Sequence, residues 1–152
     1  MGIGDVTSWT SVLILCDVEE NSNEAYKKFT LALKELNPNL MIDMISWQAN
    51  KKLAKSKEYV RQLNELNPTD FSIFSRIKNE HIHHYFRNNY DVRIIFPTDL
   101  PDKVWRLVEL SSQSIKIGFS TKITQLDVVL SPVSNRIDDK VQLLYKYILK
   151  TV

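Results

Sequence analysis

Glycine is scarce in this 152-residue chain, at Gly2, Gly4 and Gly118 only, and cysteine is limited to Cys16. A single thiol excludes an intramolecular disulfide and any metal site built from several cysteines. Three glycines and five prolines leave little material for flexible linkers. No apolar run approaches the roughly 18–20 residues that a membrane-spanning helix needs. The N-terminus, Met1-Gly-Ile-Gly-Asp-Val-Thr-Ser-Trp9, lacks the basic and long apolar regions of a secretory signal. A strong charge of either sign is missing too. Twenty basic against 18 acidic residues give +2 at pH 7, too little to demand a polyanionic partner. The simplest reading of these absences is a soluble cytoplasmic protein with no membrane partner and no dedicated nucleic-acid role.

What is present is an ordinary globular composition, 43% hydrophobic and 25% charged, which argues against wholesale disorder. The length suits one domain spanning residues 1–152, with residues 1–10 expected as a flexible N-terminal segment. Val12-Leu-Ile-Leu-Cys-Asp17 reads as a strand buried on both faces, since it is continuous and apolar. Residues 23–36 follow with apolar positions Ala25, Phe29, Ala32, Leu33 and Leu36 at helical spacing, and Asn37-Pro38 stops that helix. Met41-Ile-Asp-Met-Ile45 reads as a second strand, residues 55–66 as a helix, and Phe71-Ser-Ile-Phe74 as a short third strand or strand-like loop.

Residues 79–88 look helical and bury Ile82, Tyr85 and Phe86. Then come three clear apolar runs: Tyr90-Asp-Val-Arg-Ile-Ile-Phe96, Ile115-Lys-Ile-Gly-Phe119 and Leu126-Asp-Val-Val-Leu130. A helix from about 102 to 112 separates the first two, and the last two are either antiparallel or joined by an irregular crossover. A helix over 138–149, with Val141, Leu144, Tyr145 and Ile148 on one stripe, ends the pattern. Regular β-α alternation with about five to six strands predicts a Rossmann-like, doubly wound α/β domain with a mostly parallel sheet and helices on both faces.

In such sheets ligands sit beyond the carboxyl ends of the strands. The first of these loops, Asp17-Val-Glu-Glu-Asn-Ser-Asn-Glu24, has no glycine and carries carboxylates where a phosphate would rest, so a standard dinucleotide site is not expected there. Ser134, Asn135 and Arg136 form a second candidate, able to grip an anion with hydroxyl, amide and guanidinium, although Asn135 serves equally as a helix N-cap. Arg76 and Lys122, at other strand ends, are candidates to join them, and Asp17 is the candidate acid–base group.

His81, His83 and His84 cluster without a metal-binding motif, since at most two share a helix face. Lys51-Lys-Leu-Ala-Lys-Ser-Lys57 with Arg61, beside Trp47, suggests nucleic-acid contact, but a solvated face accounts for it more simply. No G-x-S-x-G elbow is present, and Ser111, Ser112 and Ser114 fall at a helix end. No cofactor and no metal are expected.

The run Tyr90-Asp-Val-Arg-Ile-Ile-Phe, then Leu107-Val-Glu-Leu-Ser-Ser-Gln-Ser, then Ile115-Lys-Ile-Gly-Phe resembles a strand–helix–strand in the N-terminal domain of heptosyltransferase-like GT-B glycosyltransferases. A longer span is similar to an uncharacterised bacterial family of short Rossmann-like proteins. It runs from Val12 through Trp47, Phe71-Ser-Ile-Phe-Ser-Arg76 and the Tyr90 strand to Leu126-Asp-Val-Val-Leu. The first resemblance implies a scaffold without the C-terminal domain that largely holds the sugar donor. The second implies a fold and no established activity. Neither carries over a catalytic residue.

Two functions follow as expectations. One is a non-enzymatic binding or protein-interaction module, self-associating or docking a protein partner, with Trp9, Trp47 and Trp105 as anchors if exposed. The other is a small-molecule, nucleotide or sugar-phosphate-binding enzyme that uses the cleft at the strand ends.

Overall fold

A computed structural model describes residues 6–110, 113–119 and 126–149. Its elements are β1 (Ser11–Asp17), α1 (Glu24–Leu36), β2 (Met41–Trp47), α2 (Lys51–Ala54), β3 (Glu65–Leu66), α3 (Glu80–Arg87), β4 (Val92–Ile95), α4 (Asp102–Val108), β5 (Ile115–Gly118), β6 (Val128–Val129) and α5 (Ile137–Leu144). A wider helical turn, Tyr145–Leu149, extends α5. The strands form one open sheet in the order β3-β2-β1-β4-β5-β6, with every pairing parallel. This is the Rossmann-like α/β arrangement, and β6 joins it in parallel rather than antiparallel.

Alternation along β1 explains the two layers. Val12, Ile14 and Cys16 face a core completed by Tyr26, Phe29 and Leu33 of α1 and by Val141 and Leu144 of α5. Leu13 and Leu15 face the opposite core, with Ile82 and Phe86 of α3 and Val104, Leu107 and Val108 of α4. Asn23 starts α1, its side-chain oxygen accepting from the Ala25 and Tyr26 amides at 2.8 and 3.1 Å. Asn79 starts α3 in the same way, accepting from Ile82 N at 3.1 Å.

Three expectations change. First, part of the N-terminal segment is packed. Val6 and Trp9 are buried, and the Asn37 amide donates to both their carbonyls at 3.1 and 2.7 Å. Residues 1–5 lie outside the described residues.

Second, the helix expected over 55–66 is absent; the helix nearest in sequence is Lys51–Ala54, which ends before it. Side-chain hydrogen bonds outcompete it. Buried Glu65 accepts from the Tyr59 hydroxyl at 2.5 Å, from Gln62 N at 3.1 Å and from the Asn67 amide at 2.9 Å, which fixes an irregular path. Third, of the two readings of Phe71-Ser-Ile-Phe74 the loop holds, and the third strand is Glu65–Leu66, beside β2. Phe71 instead pairs with Ile77 in a single antiparallel bridge and opens a tight turn.

Candidate functional site

The neighbours β1 and β4 mark the switch point, because the chain leaves in opposite directions from this pair. Beyond their carboxyl ends lies a cleft of about 330 Å³ lined by Asp17, Val18, Glu19, Glu20, Trp47, Ala49 and Asp99. Asp17 ends β1 and is half-buried. Burial, then the charges of Glu20 and Asp99, push its carboxyl up to about 7, while Lys140 opposes them. Lys140 reaches under this edge from α5. It is buried, donates to the Phe96 carbonyl at 2.6 Å and sits 5.5 Å from the centre of the Phe119 ring. Burial lowers its pKa, and Glu20, Asp17 and Asp99 work against that. The cleft thus carries negative potential and a carboxyl able to exchange a proton near neutrality. A phosphate entering it would meet four carboxylates.

Of the ligand-binding candidates from the sequence, Asp17 lines this cleft, and of the candidate anchors Trp47 does. Ser134, Asn135 and Arg136 stay together at the start of α5 but are engaged there or face solvent. The Ser134 hydroxyl donates to Asp139 and accepts from Arg136 N at 3.1 Å, and the Arg136 guanidinium lies 3.3 Å from Asp138. Arg136, not Asn135, takes the N-cap position, without a side-chain cap bond. The acidic first turn of α5 occupies the very groups that an anion would need. Arg76 is exposed on the turn after Phe71, away from the cleft lining. Lys122, Ser111 and Ser112 lie outside the described residues.

The remaining candidates resolve by burial and pairing. Among the described residues, no group of three or more His, Cys, Asp or Glu side chains is placed to hold a metal. His81 instead contacts the Asn64 side-chain oxygen at 2.9 Å and packs edge-on against Tyr85. Trp47 is buried, so it offers no face for a nucleobase, and Arg61 pairs with buried Asp70. Trp9 and Trp105 are buried as well, which removes all three tryptophans as surface anchors.

Exposed apolar side chains lie elsewhere, Val60, Leu63 and Val133 among them, together with one pair adjacent in sequence. Ile73 and Phe74 are 93% and 78% exposed, at the tip of the turn that Phe71 opens. This turn is braced. Ser72 N donates to the Arg76 carbonyl at 2.8 Å, and Ser75 N donates to the Ser72 carbonyl at 2.9 Å. The Ser72 hydroxyl accepts from Phe74 N and Arg76 N at 3.2 and 3.3 Å, and Ser75 adopts a left-handed φ of 60°. At its base Phe71 is buried, with the Lys103 ammonium 4.8 Å from its ring centre. Buried Asp70 locks the flank, accepting from Arg61, from Asn67 N and from the Asn79 amide. Arg76 and Lys78 beside the tip are exposed, and among the described residues neither forms an ion pair. Sequence reasoning left this element as a strand or a strand-like loop and gave it no functional role. Its one signal was an apolar pair between serines, which alternation alone reads as a strand.

A protein-family model described as "Family of unknown function (DUF6913)" matches residues 4–150. No curated protein and no solved structure matches the chain.

Proposed function

The chain belongs to DUF6913, a family of unknown function, and from that premise we propose that it is a non-enzymatic protein-interaction module whose contact element is the 72–76 turn. The observation that carries this reading is the pair Ile73 and Phe74, held out in solvent on a turn closed by its own hydrogen bonds. Burying each side chain on a partner would contribute roughly 1.5–3 kcal/mol. Because the turn is already ordered, little of that is spent on ordering it. Arg76 and Lys78 flank the tip, so the partner is a protein surface with an apolar pocket and an acidic rim.

The alternative, an enzyme binding a nucleotide or sugar phosphate at the strand ends, is weakened by the carboxylates of Asp17, Glu19, Glu20 and Asp99 around that cleft. Nucleic acid and membrane are not the partners in this reading. Trp47 is buried, and among the described residues no helix is long and apolar enough to cross a membrane. The resemblance to a bacterial family adds the bacterial cytoplasm as its setting, with which the buried free thiol of Cys16 is compatible.

The test replaces residue 74 with a photo-crosslinking amino acid in cells, identifies the captured protein, and titrates that protein, purified, against the native chain and the Ile73→Ser/Phe74→Ser variant. The double variant should lose at least about tenfold in affinity, the range of an interface anchor. Its thermal stability should hold, because neither side chain is buried. Arg76→Glu should slow association most strongly at low salt. Unchanged affinity in the double variant would overturn the proposal, as would light scattering that shows only non-saturable aggregation.

A further inference from the structure

The outer edge of β2 is only partly covered. β2 has seven residues, but β3 has two and pairs only with Ser46 and Trp47. The backbone bonds fix which groups point outward. Met41 N donates inward to the Thr10 carbonyl, whereas Ser46 N and Gln48 N donate outward to the Asn64 and Leu66 carbonyls. Because direction alternates along a strand, the N–H and C=O of Ile42 and Met44 point outward too. Among the described residues these outward groups have no partner. Asn64 explains the gap, since its left-handed φ of 57° turns the preceding chain off the line of β3. Edge strands are ordinarily guarded by proline or lysine. Met41-Ile-Asp-Met44 has neither, and Lys34 reaches only the Leu40 carbonyl below it, at 2.6 Å.

The surroundings of these groups state the chemistry of an added strand. Met44 shares the α1 face of the sheet with Ile14. It borders a cleft of about 300 Å³ that Asn21, Ser46, Leu63 and Asn64 also line, with no charged side chain. Asp43 lies on the opposite face with Leu13. Its carboxylate accepts from the Tyr90 hydroxyl at 2.8 Å but joins no ion pair among the described residues. A strand laid along this edge would send alternate side chains to the two faces, uncharged ones toward the cleft and a basic one beside Asp43. A second copy of the chain fits poorly. A two-fold pairing centred on Asp43 sets like charges against each other. Centred on Ile42, it sets Met44 opposite Leu40, whose carbonyl Lys34 holds. Centred on Met44, it sets Ile42 opposite Ser46, which β3 already covers.

From the open edge groups, the uncharged cleft and the Asp43 carboxylate we infer that β2 binds a short extended segment of another protein as an added strand. In that mode main-chain hydrogen bonds supply affinity and flanking pockets supply choice. The surface is separate from the 72–76 turn. The probes are blocked peptides Thr-Xaa-Lys-Yaa-Thr, with Xaa and Yaa drawn from Val, Leu, Phe and Gln, and the same set with Glu in place of Lys. Titration should shift the Ile42 and Met44 amides saturably in NMR spectra. Their hydrogen exchange should slow at least about tenfold at saturation, while the Asp43 amide, which faces β1, stays as it was. The best Lys peptide should bind about fivefold more tightly than its Glu counterpart, and Asp43→Asn should narrow that preference. Met44→Pro removes an outward N–H that carries no ladder bond, so the chain should still fold. It should weaken binding at least about tenfold, whereas Met44→Val, which keeps the amide, should stay within about threefold of the native chain. Ile73→Ser/Phe74→Ser should bind the peptides as the native chain does, so this inference and the interaction reading fail separately. Absence of saturable shifts at Ile42 and Met44 with every peptide would overturn the inference. So would equal binding of the Lys and Glu sets, or Met44→Pro binding as well as Met44→Val. Light scattering that showed a native dimer, made monomeric by Met44→Pro, would overturn it in favour of a second copy.

Discussion

Arg93 sits in the middle of β4 with none of its surface exposed. Among the described residues, no carboxylate pairs with it. Its guanidinium donates instead to four backbone carbonyls: Phe86 and Asn88 at the end of α3, at 2.7 and 2.9 Å, and Leu107 and Val108 at the end of α4, at 3.5 and 3.3 Å. Those carbonyls carry the negative ends of two helix dipoles, so one cation serves both. The Tyr90 ring adds a face 5.4 Å from the guanidinium carbon. Burial lowers the Arg93 pKa to about 10, which still leaves it charged at neutrality. Arg93→Met should cost about 3–5 kcal/mol, because it strips the donors from buried acceptors. Arg93→Lys should recover little of that, since a point charge cannot span both helix ends. Urea denaturation measures both, and a loss below about 1 kcal/mol for Arg93→Met would show that the carbonyls find other donors.

Asp17 gives the second prediction at this scale. Its carboxyl titrates near 7 in the folded chain against an ordinary value of 3.8. Between those values the folded chain holds a proton that the unfolded chain has released, so stability falls as pH rises through that window. Asp17→Asn removes the titration. The substitution should leave the melting temperature almost unchanged at pH 4 and raise it at pH 8. A difference that stays constant with pH would mean that neither burial nor the charges of Glu20 and Asp99 raise this carboxyl.

At the scale of elements, what could be read in advance was set by how local the determining forces are. Runs such as Val12-Leu-Ile-Leu and the 3.6-residue stripe of Phe29 and Leu33 report burial directly, and the inner strands and α1 follow from them. Residues 55–66 failed for a physical reason. Leu63 and Leu66 suggest a helical face, yet Leu63 is 90% exposed and the path is fixed by Glu65, a buried carboxylate whose partners are Tyr59, Gln62 and Asn67. Polar networks of that kind leave no periodicity. The same holds for the candidate site. Asp17 was visible because it ends a strand, whereas its neighbours Asp99 and Lys140 converge on it only through the topology. Arg93 was not singled out from the sequence, because its partners are backbone carbonyls and the Ser114 hydroxyl, which no sequence pattern distinguishes. Ile73 and Phe74 satisfied a strand pattern, and Ser75 broke it by taking a left-handed conformation.

Across the whole molecule, regular and irregular parts divide the work. Residues 55–79 hold only one two-residue strand and a short 3-10 turn before α3 begins, and long connections of that kind inside compact domains are uncommon and usually functional. This segment carries the exposed turn, while the sheet supplies rigidity. The sheet itself is graded. β1 has seven residues and pairs with β2 on one side and β4 on the other, whereas β6 has two residues and pairs only with β5. Protection against hydrogen exchange should follow that gradient, because opening an edge exposes little apolar surface and opening the centre unfolds both cores. The amides of Leu13, Ile14 and Leu15 should exchange only through global unfolding and respond steeply to low urea. The amides of Asp127 and Leu130, which donate to the Lys116 and Gly118 carbonyls at 2.9 Å, should exchange by local opening, on the order of 100-fold faster and almost independently of urea. If Leu13 and Leu130 exchanged at one common rate, the gradient would be absent and the edge would belong to the same cooperative unit as β1.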